Sequence, residues 1–217
     1  LPFAACPPGI RFVFAIVLAL GWPIWPLILA SICALALVIE RTLALRPSRV
    51  LPPALLNDVL GLYHRRQITL EVLERLDASS PLGQLLAAGL RGAGRDRDNT
   101  VHALELAGGH VAHGLARNLS LLGAVGTLAP LLGLLGTVVG MIDIFSSQQG
   151  GTNPQQLAQG ISVALYSTAF GIIVAVPSVL AYRVFRARVD DLVVELERQA
   201  QRLVDALHPQ AGAKVGA

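Results

Sequence analysis

Two apolar stretches, Leu119 to Phe145 and Leu157 to Tyr182, carry almost no charge and are separated by a short polar loop. Each is longer than the roughly 20 residues that carry a helix across the hydrocarbon core of a bilayer at about 1.5 Å per residue. Lipid offers the backbone no hydrogen-bond partners, so a segment of this length and apolarity folds as a helix that satisfies its own peptide groups. Both stretches are expected to span a membrane. They also carry Gly, Ala, Ser and Thr at regular intervals, which greasy anchors do not need and closely packed helices do.

Composition supports an integral membrane protein: 53% of the 217 residues are hydrophobic and 14% charged, with a mean hydropathy of +0.60. A third apolar run, Phe12 to Ile39, is interrupted between Gly21 and Pro26. It reads as one span over residues 22–39, preceded by an interfacial segment, residues 1–21. A cleaved leader is disfavoured by the length of the run and by Arg41 and Arg46 behind it. The expected order is then the N-terminal segment 1–21, a span over 22–39, a helical loop over 40–118, a span over 119–145, a loop over 146–156, a span over 157–182, and a C-terminal helix and tail over 183–217.

Basic residues near span ends favour the cytoplasmic side. Arg41, Arg46, Arg49, Arg65, Arg66, Arg75, Arg91, Arg95, Arg97 and Arg117 lie in the large loop, and Arg183, Arg186, Arg188, Arg198, Arg202 and Lys214 lie in the tail. The 146–156 loop has none. The predicted topology places the N-terminus and short loop outside, and the large loop and C-terminus inside. A pI near 9.3 follows from that topology, and no motif or interleaved aromatic residue argues for nucleic acid. Cys6 and Cys33 fall in different compartments, so no intrachain disulfide is expected.

Outside the lipid the helical pattern continues. Val101, Leu104, Val111, Leu115, Leu119 and Leu122 predict a helix leading into the second span, starting near Thr100 with Asn99 as cap and Gly108-Gly109 as the bend. After the third span, Phe185, Val189, Leu192, Leu196, Leu203 and Leu207 form a heptad-like stripe. Pro81 behind Ser80 suits a helix start, and Gly92 to Asn99 reads as a break. His64, His102, His110 and His113 lack a completing carboxylate or thiolate, so no metal site is expected. Gly133, Gly136 and Gly140 are not followed by the lysine of a phosphate-binding loop, and no cofactor is expected. No nucleophile, base and orienting group assemble into an enzyme site.

On the second span Gly126, Ala129, Gly133, Gly136 or Thr137, and Gly140 share one helical face; on the third Gly160, Ala164, Ser167 or Thr168, Gly171, Ala175 and Ser178 do. Thr137 and Thr168 lie eight and eleven residues from the outer span ends, about 12 and 16 Å deep. A hydroxyl at that depth either bonds its own helix or lines a polar path. Asp143, near the outer end of the second span, is the only carboxylate in the spans. It is either a vestibule group that gathers cations or a solvated helix-end residue.

The runs Ala129-Pro130-Leu131-Leu132-Gly133-Leu134-Leu135-Gly136-Thr137-Val138-Val139-Gly140 and Gly160-Ile161-Ser162-Val163-Ala164-Leu165-Tyr166-Ser167-Thr168-Ala169-Phe170-Gly171, followed by Val174-Ala175-Val176-Pro177, resemble the TolQ/ExbB/MotA proton-channel family, ExbB most of all. Gly21 to Leu27 and Ile39-Glu40-Arg41 resemble its first membrane helix. The resemblance implies an all-α, ring-forming membrane protein with three spans, two of them continuing as long cytoplasmic helices. It implies a proton pathway through Thr137 and Thr168, with Ser162 and Ser167 beside them, and helix packing through Gly133, Gly136, Gly140, Gly160, Ala164, Gly171, Pro130 and Pro177. It also implies a pentamer in the bacterial inner membrane around an ExbD-like or TolR-like single-span partner bearing an intramembrane Asp, and work through a TonB-like protein on outer-membrane import. A TolQ-like role in envelope integrity and division is the alternative; a flagellar stator usually has a fourth span. Family members often carry a Glu where this chain has Val163. That departure leaves open a non-conducting scaffold.

Overall fold

The structure, a computed structural model, describes residues 22, 24–93, 96–147 and 154–209. The expectations for residues 1–21 with Cys6, for the middle of the 146–156 loop and for the tail with Lys214 lie outside the described residues. Among the described residues every regular element is a helix: α1 Ile24–Ala44, α2 Pro47–Val50, α3 Leu55–His64, α4 Leu70–Ser79, α5 Pro81–Gly92, α6 Arg97–Ala116, α7 Leu119–Ser147 and α8 Pro154–Leu207. Three helical stretches, Ile24–Ala44, Arg97–Ser146 and Gly160–Leu207, are long and apolar enough to cross a membrane. The fold is an all-α, multi-pass membrane protein with two long helices.

The chain divides into two compact units, one holding the residues up to Ile39 with Asn118–Arg183, the other Glu40–Arg117 with the residues from Val184 onward. In the first, only 17 to 28% of the most apolar window of each spanning stretch is buried. Leu29, Ile32, Leu131, Leu134, Ile142, Leu165, Ile173 and Leu180 are exposed. Apolar side chains turned outward on every helix require an apolar solvent, which a bilayer supplies. Pro130 and Pro177 sit inside α7 and α8, where each removes one backbone donor without ending its helix; that is tolerated in membrane helices whose neighbours supply other partners.

The second unit has the core of a soluble domain. Its sequence starts its helices with side-chain acceptors: Thr69 takes the amide of Val72 at 3.4 Å and Ser80 that of Gly83 at 3.0 Å, with Pro81 in the first turn. Leu82, Leu86 and Leu203 are fully enclosed, joined by Leu85, Leu90, Leu104, Val111 and Leu115. The stripe along α8 is what this core is built on: Val189, Leu192, Leu196, Leu203 and Leu207 are buried, and Phe185 at its start is half-buried. Gly89 lets Leu104 and Leu203 close over α5, since a Cβ there would stand 2.6 Å from Leu203 Cδ2 and 3.1 Å from Leu104 Cδ2.

Two local expectations are corrected. The helix leading into the second span starts at Arg97, capped by Asp96, whose carboxylate accepts from the Arg97 amide at 2.8 Å. Thr100 is not near a free helix end but fully buried inside the first turn, donating to the carbonyl of Gly92 at 3.0 Å, with His208 Nε2 at 3.1 Å. The helix also runs unbroken through Gly108-Gly109; the break falls at Arg117-Asn118, where Asn118 has φ of 64°. Asn tolerates the left-handed conformation better than most residues, so it ends a helix where a glycine with helical neighbours need not.

Candidate functional site

Within the first unit α7 and α8 run antiparallel, and their small residues meet in one register. A Cβ added at Gly133 would lie 2.8 Å from the Ser167 carbonyl oxygen and 3.0 Å from Thr168 Cα. One at Gly171 would lie 2.6 Å from the Ala129 carbonyl oxygen and 3.3 Å from Pro130 Cα. Above this crossing Gly140 meets Ala164 and Gly160 meets Ile144; below it Gly126 meets Val179 and Gly123 meets Tyr182. Gly136 is also buried. At Gly133 and Gly171 the approach is backbone to backbone, which residues with side chains prevent and Gly permits. Pro177, by contrast, is exposed.

The hydroxyls divide by partner. Ser167 is buried and donates across the crossing to the carbonyl of Gly133 at 3.0 Å. Ser162, exposed, donates to Ala158 O of its own helix at 2.9 Å, and Ser178 to Val174 O at 2.7 Å. Thr137 donates to Leu134 O at 2.7 Å, keeping its acceptor lone pairs for another group. Thr168 is half-buried and makes no side-chain hydrogen bond among the described residues. Asp143 is exposed near the end of α7, its backbone carbonyl taking the Ser146 hydroxyl at 3.0 Å.

The position of α1 gives the hairpin two unequal flanks. Leu27 joins Ala129 and Ala175 in a buried cluster against which Leu132, Phe170 and Val174 pack. At about 100° per residue, Leu132 and Phe170 point about 100° to one side of Gly133 and Gly171, while Thr137 and Thr168 point about 40 to 60° to the other. The two threonines therefore share the flank that α1 leaves uncovered. Val163 lies about 140° around α8 from Thr168 and shares the side of Phe170.

Thr127, which the small-residue pattern passed over, lies on the uncovered flank about 80° beyond Thr137, exposed and bonded to Ala124 O at 3.0 Å. Sequence reasoning used Arg41 as an orientation charge, as an argument against a leader and in the resemblance of the first helix, but assigned its side chain no partner. Its side chain is 5% exposed, pairs with Glu40 through two contacts of 2.8 and 2.9 Å, and donates to Leu115 O at 3.0 Å. The adjacent Glu40-Arg41 pair after an apolar run was the available signal. No group of three or more metal-ligating side chains occurs among the described residues.

The sequence matches the MotA/TolQ/ExbB proton channel family model over residues 77–198, more than half of the chain. The ExbB-like 3 biopolymer transport protein of Synechocystis sp. is 32% identical over 192 residues, covering 85% of this chain and 91% of that one. The biopolymer transport protein exbB1 of Vibrio cholerae is 40% identical over 88 residues, 39% of each chain. The Tol-Pal system protein TolQ of Haemophilus influenzae is 32% identical over 117 residues, 53% of this chain and 51% of that one. With the three spanning stretches and the small-residue crossing, these matches show that the chain belongs to the MotA/TolQ/ExbB proton channel family.

Proposed function

We propose that this chain is the wall subunit of a proton channel in the bacterial inner membrane, with Thr137 and Thr168 lining the path. In this reading copies of the chain form a ring, a pentamer, with the N-terminus periplasmic and the large loop and C-terminus cytoplasmic. The observation that carries it is the uncovered flank of the α7–α8 hairpin: two threonines at similar depth, one whose hydroxyl has no hydrogen-bond partner among the described residues and one with acceptor capacity left, on the side away from α1. Ser167 belongs to the helix contact, Ser162 to the outer end of the same helix, and Asp143 to a solvated vestibule.

The described span interiors hold no carboxylate deeper than Asp143, and Val163 stands where the family resemblance leads to the expectation of a Glu. The protonatable group is then supplied in trans, by the membrane helix of an ExbD-like or TolR-like partner inside the ring. One charge crossing about 100 mV releases about 2.3 kcal/mol, enough to bias one conformational step per proton. Output passes to a TonB-like protein and powers outer-membrane import. The TolQ relative supports envelope integrity and division as the second assignment, and Val163 supports a non-conducting scaffold as the third.

Thr137→Val and Thr168→Val keep side-chain shape and remove the hydroxyl. The expected outcome is loss of proton-coupled transport with the complex still assembled; full transport in both variants would overturn the pore assignment. Purifying the complex from its native membrane tests the partner: a ring with a single-span protein bearing an intramembrane Asp supports the channel, and a homo-oligomer alone supports the scaffold. A deletion strain that fails on chelated iron supports the import role, and one sensitive to detergent supports the envelope role.

A further inference from the structure

A cavity of about 310 Å³ in the second unit is lined by Arg41, Arg49, Gln84 and His110, with Leu45, Val111 and Leu115 among its apolar walls. Its volume falls at the lower end of the range of small-molecule sites, about 300 to 1,000 Å³. Arg41 is a built element of this site. It is 4% exposed, held by Glu40 and by the Leu115 carbonyl at the end of α6. Three of its N–H groups are in those bonds, and a guanidinium has five. Glu40 balances the charge of Arg41, so the excess positive charge comes from Arg49, exposed at the rim, with further donor capacity from Gln84 and His110. A cavity with a cationic, donor-rich rim and an apolar wall selects a ligand that is anionic at one end and apolar at the other.

Chain position narrows the source. Arg41 stands two residues beyond Ile39, the last residue of α1 counted in the first unit, and Leu115 four residues before the start of α7. At about 1.5 Å per residue Arg41 lies about 3 Å along the same continuous helix from Ile39, and Leu115 is joined to α7 through the turn at Arg117-Asn118. The polar headgroup layer occupies roughly 5 to 7 Å on each side of the hydrocarbon core. We propose that this cavity binds the phosphate headgroup of an anionic phospholipid, with Arg49 and Arg41 on the phosphate and the apolar wall against the glycerol and upper acyl carbons. Basic pockets at the ends of membrane helices recognise anionic lipid in this way. The inference needs only that the helices span a membrane, so it stands or falls apart from the threonine pathway.

Gly114 also lines the cavity, and a Cβ built on it meets nothing within 4 Å. A larger side chain there fills the cavity without displacing the backbone. Gly109 is equally open but lines a different groove, which makes it the control. The test is native mass spectrometry of the full-length protein in detergent, titrated with phosphatidylglycerol, phosphatidylcholine or glycerol 3-phosphate. Phosphatidylglycerol is expected to bind about five-fold more tightly than phosphatidylcholine, and Arg49→Ala to remove most of that preference, one basic group near a membrane surface contributing about that factor. Gly114→Leu is expected to abolish retention and Gly109→Leu to leave it unchanged, with all variants holding wild-type helicity by circular dichroism. Should Gly114→Leu lose helicity, the exposed Arg49→Ala variant decides alone. Equal binding of the two lipids, or an Arg49→Ala variant that keeps the preference, overturns the proposal. Glycerol 3-phosphate binding as tightly as the lipid overturns the lipid source and leaves a free-phosphate site.

Discussion

Both units bury glycines where helices cross, but what those glycines face differs. Gly133 and Gly171 face backbone: the carbonyl oxygens of Ser167 and Ala129 and the Cα atoms of the opposite helix. Gly89 faces the ends of Leu104 and Leu203. In water, the second unit gains stability by enclosing leucines, so its glycine serves large side chains that can shift. In lipid, burying a leucine gains little because the solvent is equally apolar, and stability comes from close backbone approach and from hydrogen bonds such as Ser167 to Gly133. The same residue type therefore tolerates change in one unit and resists it in the other.

The largest expected effect is on the leucine core. Leu203 has no exposed surface, so Leu203→Ala should cost about 3 kcal/mol, read as a lowered denaturation midpoint of the C-terminal helix signal. A smaller loss would mean that the second unit is not held by this core. Next comes the direct contrast: Gly171→Ala should cost about 2 kcal/mol because a carbonyl oxygen cannot yield, whereas Gly89→Ala should cost under about 1 kcal/mol, since leucine ends move and alanine favours the helix by about 1 kcal/mol. Thermal melts of the two variants side by side would erase the comparison if the order were reversed.

Thr100→Val tests a polar contact inside the leucine-rich unit. It strips the donor from the Gly92 carbonyl and the partner from His208, and should cost about 1 to 2 kcal/mol, with faster hydrogen exchange at the end of α8 as the local sign. Ser167→Ala is the counterpart in the membrane unit, expected at only about 0.6 kcal/mol because hydroxyls in membrane helices find other acceptors. A loss above that of Thr100→Val would show that the hairpin depends on this bond more than on its glycines.

Elements with a period were legible in the sequence. The spans follow from length and apolarity, and the stripe from Val189 to Leu207 follows from heptad spacing, because both depend on residues near one another in the chain. The small-residue faces of α7 and α8 were legible for the same reason. The turn at Asn118 was not: one residue with positive φ interrupts no hydrophobic pattern, and the Gly108-Gly109 pair, a stronger local signal, is accommodated within α6. The start of α6 was misplaced by a few residues because Asp96 and Asn99 are both good caps, and only the burial of Thr100 under Gly92 selects between them.

What the sequence by itself determined is the solvent each segment needs: an apolar helix with no charge must lie in lipid, and an amphipathic one must find a partner. Only the tertiary structure decided who the partners are. That Gly133 meets Gly171, that Leu27 covers one flank of the hairpin and leaves the threonines on the other, and that Arg41 reaches a carbonyl 74 residues away depend on register between helices. Helical periodicity fixes the face a residue occupies, but not the height at which it meets its neighbour. That height is set by where backbones can approach without a Cβ between them.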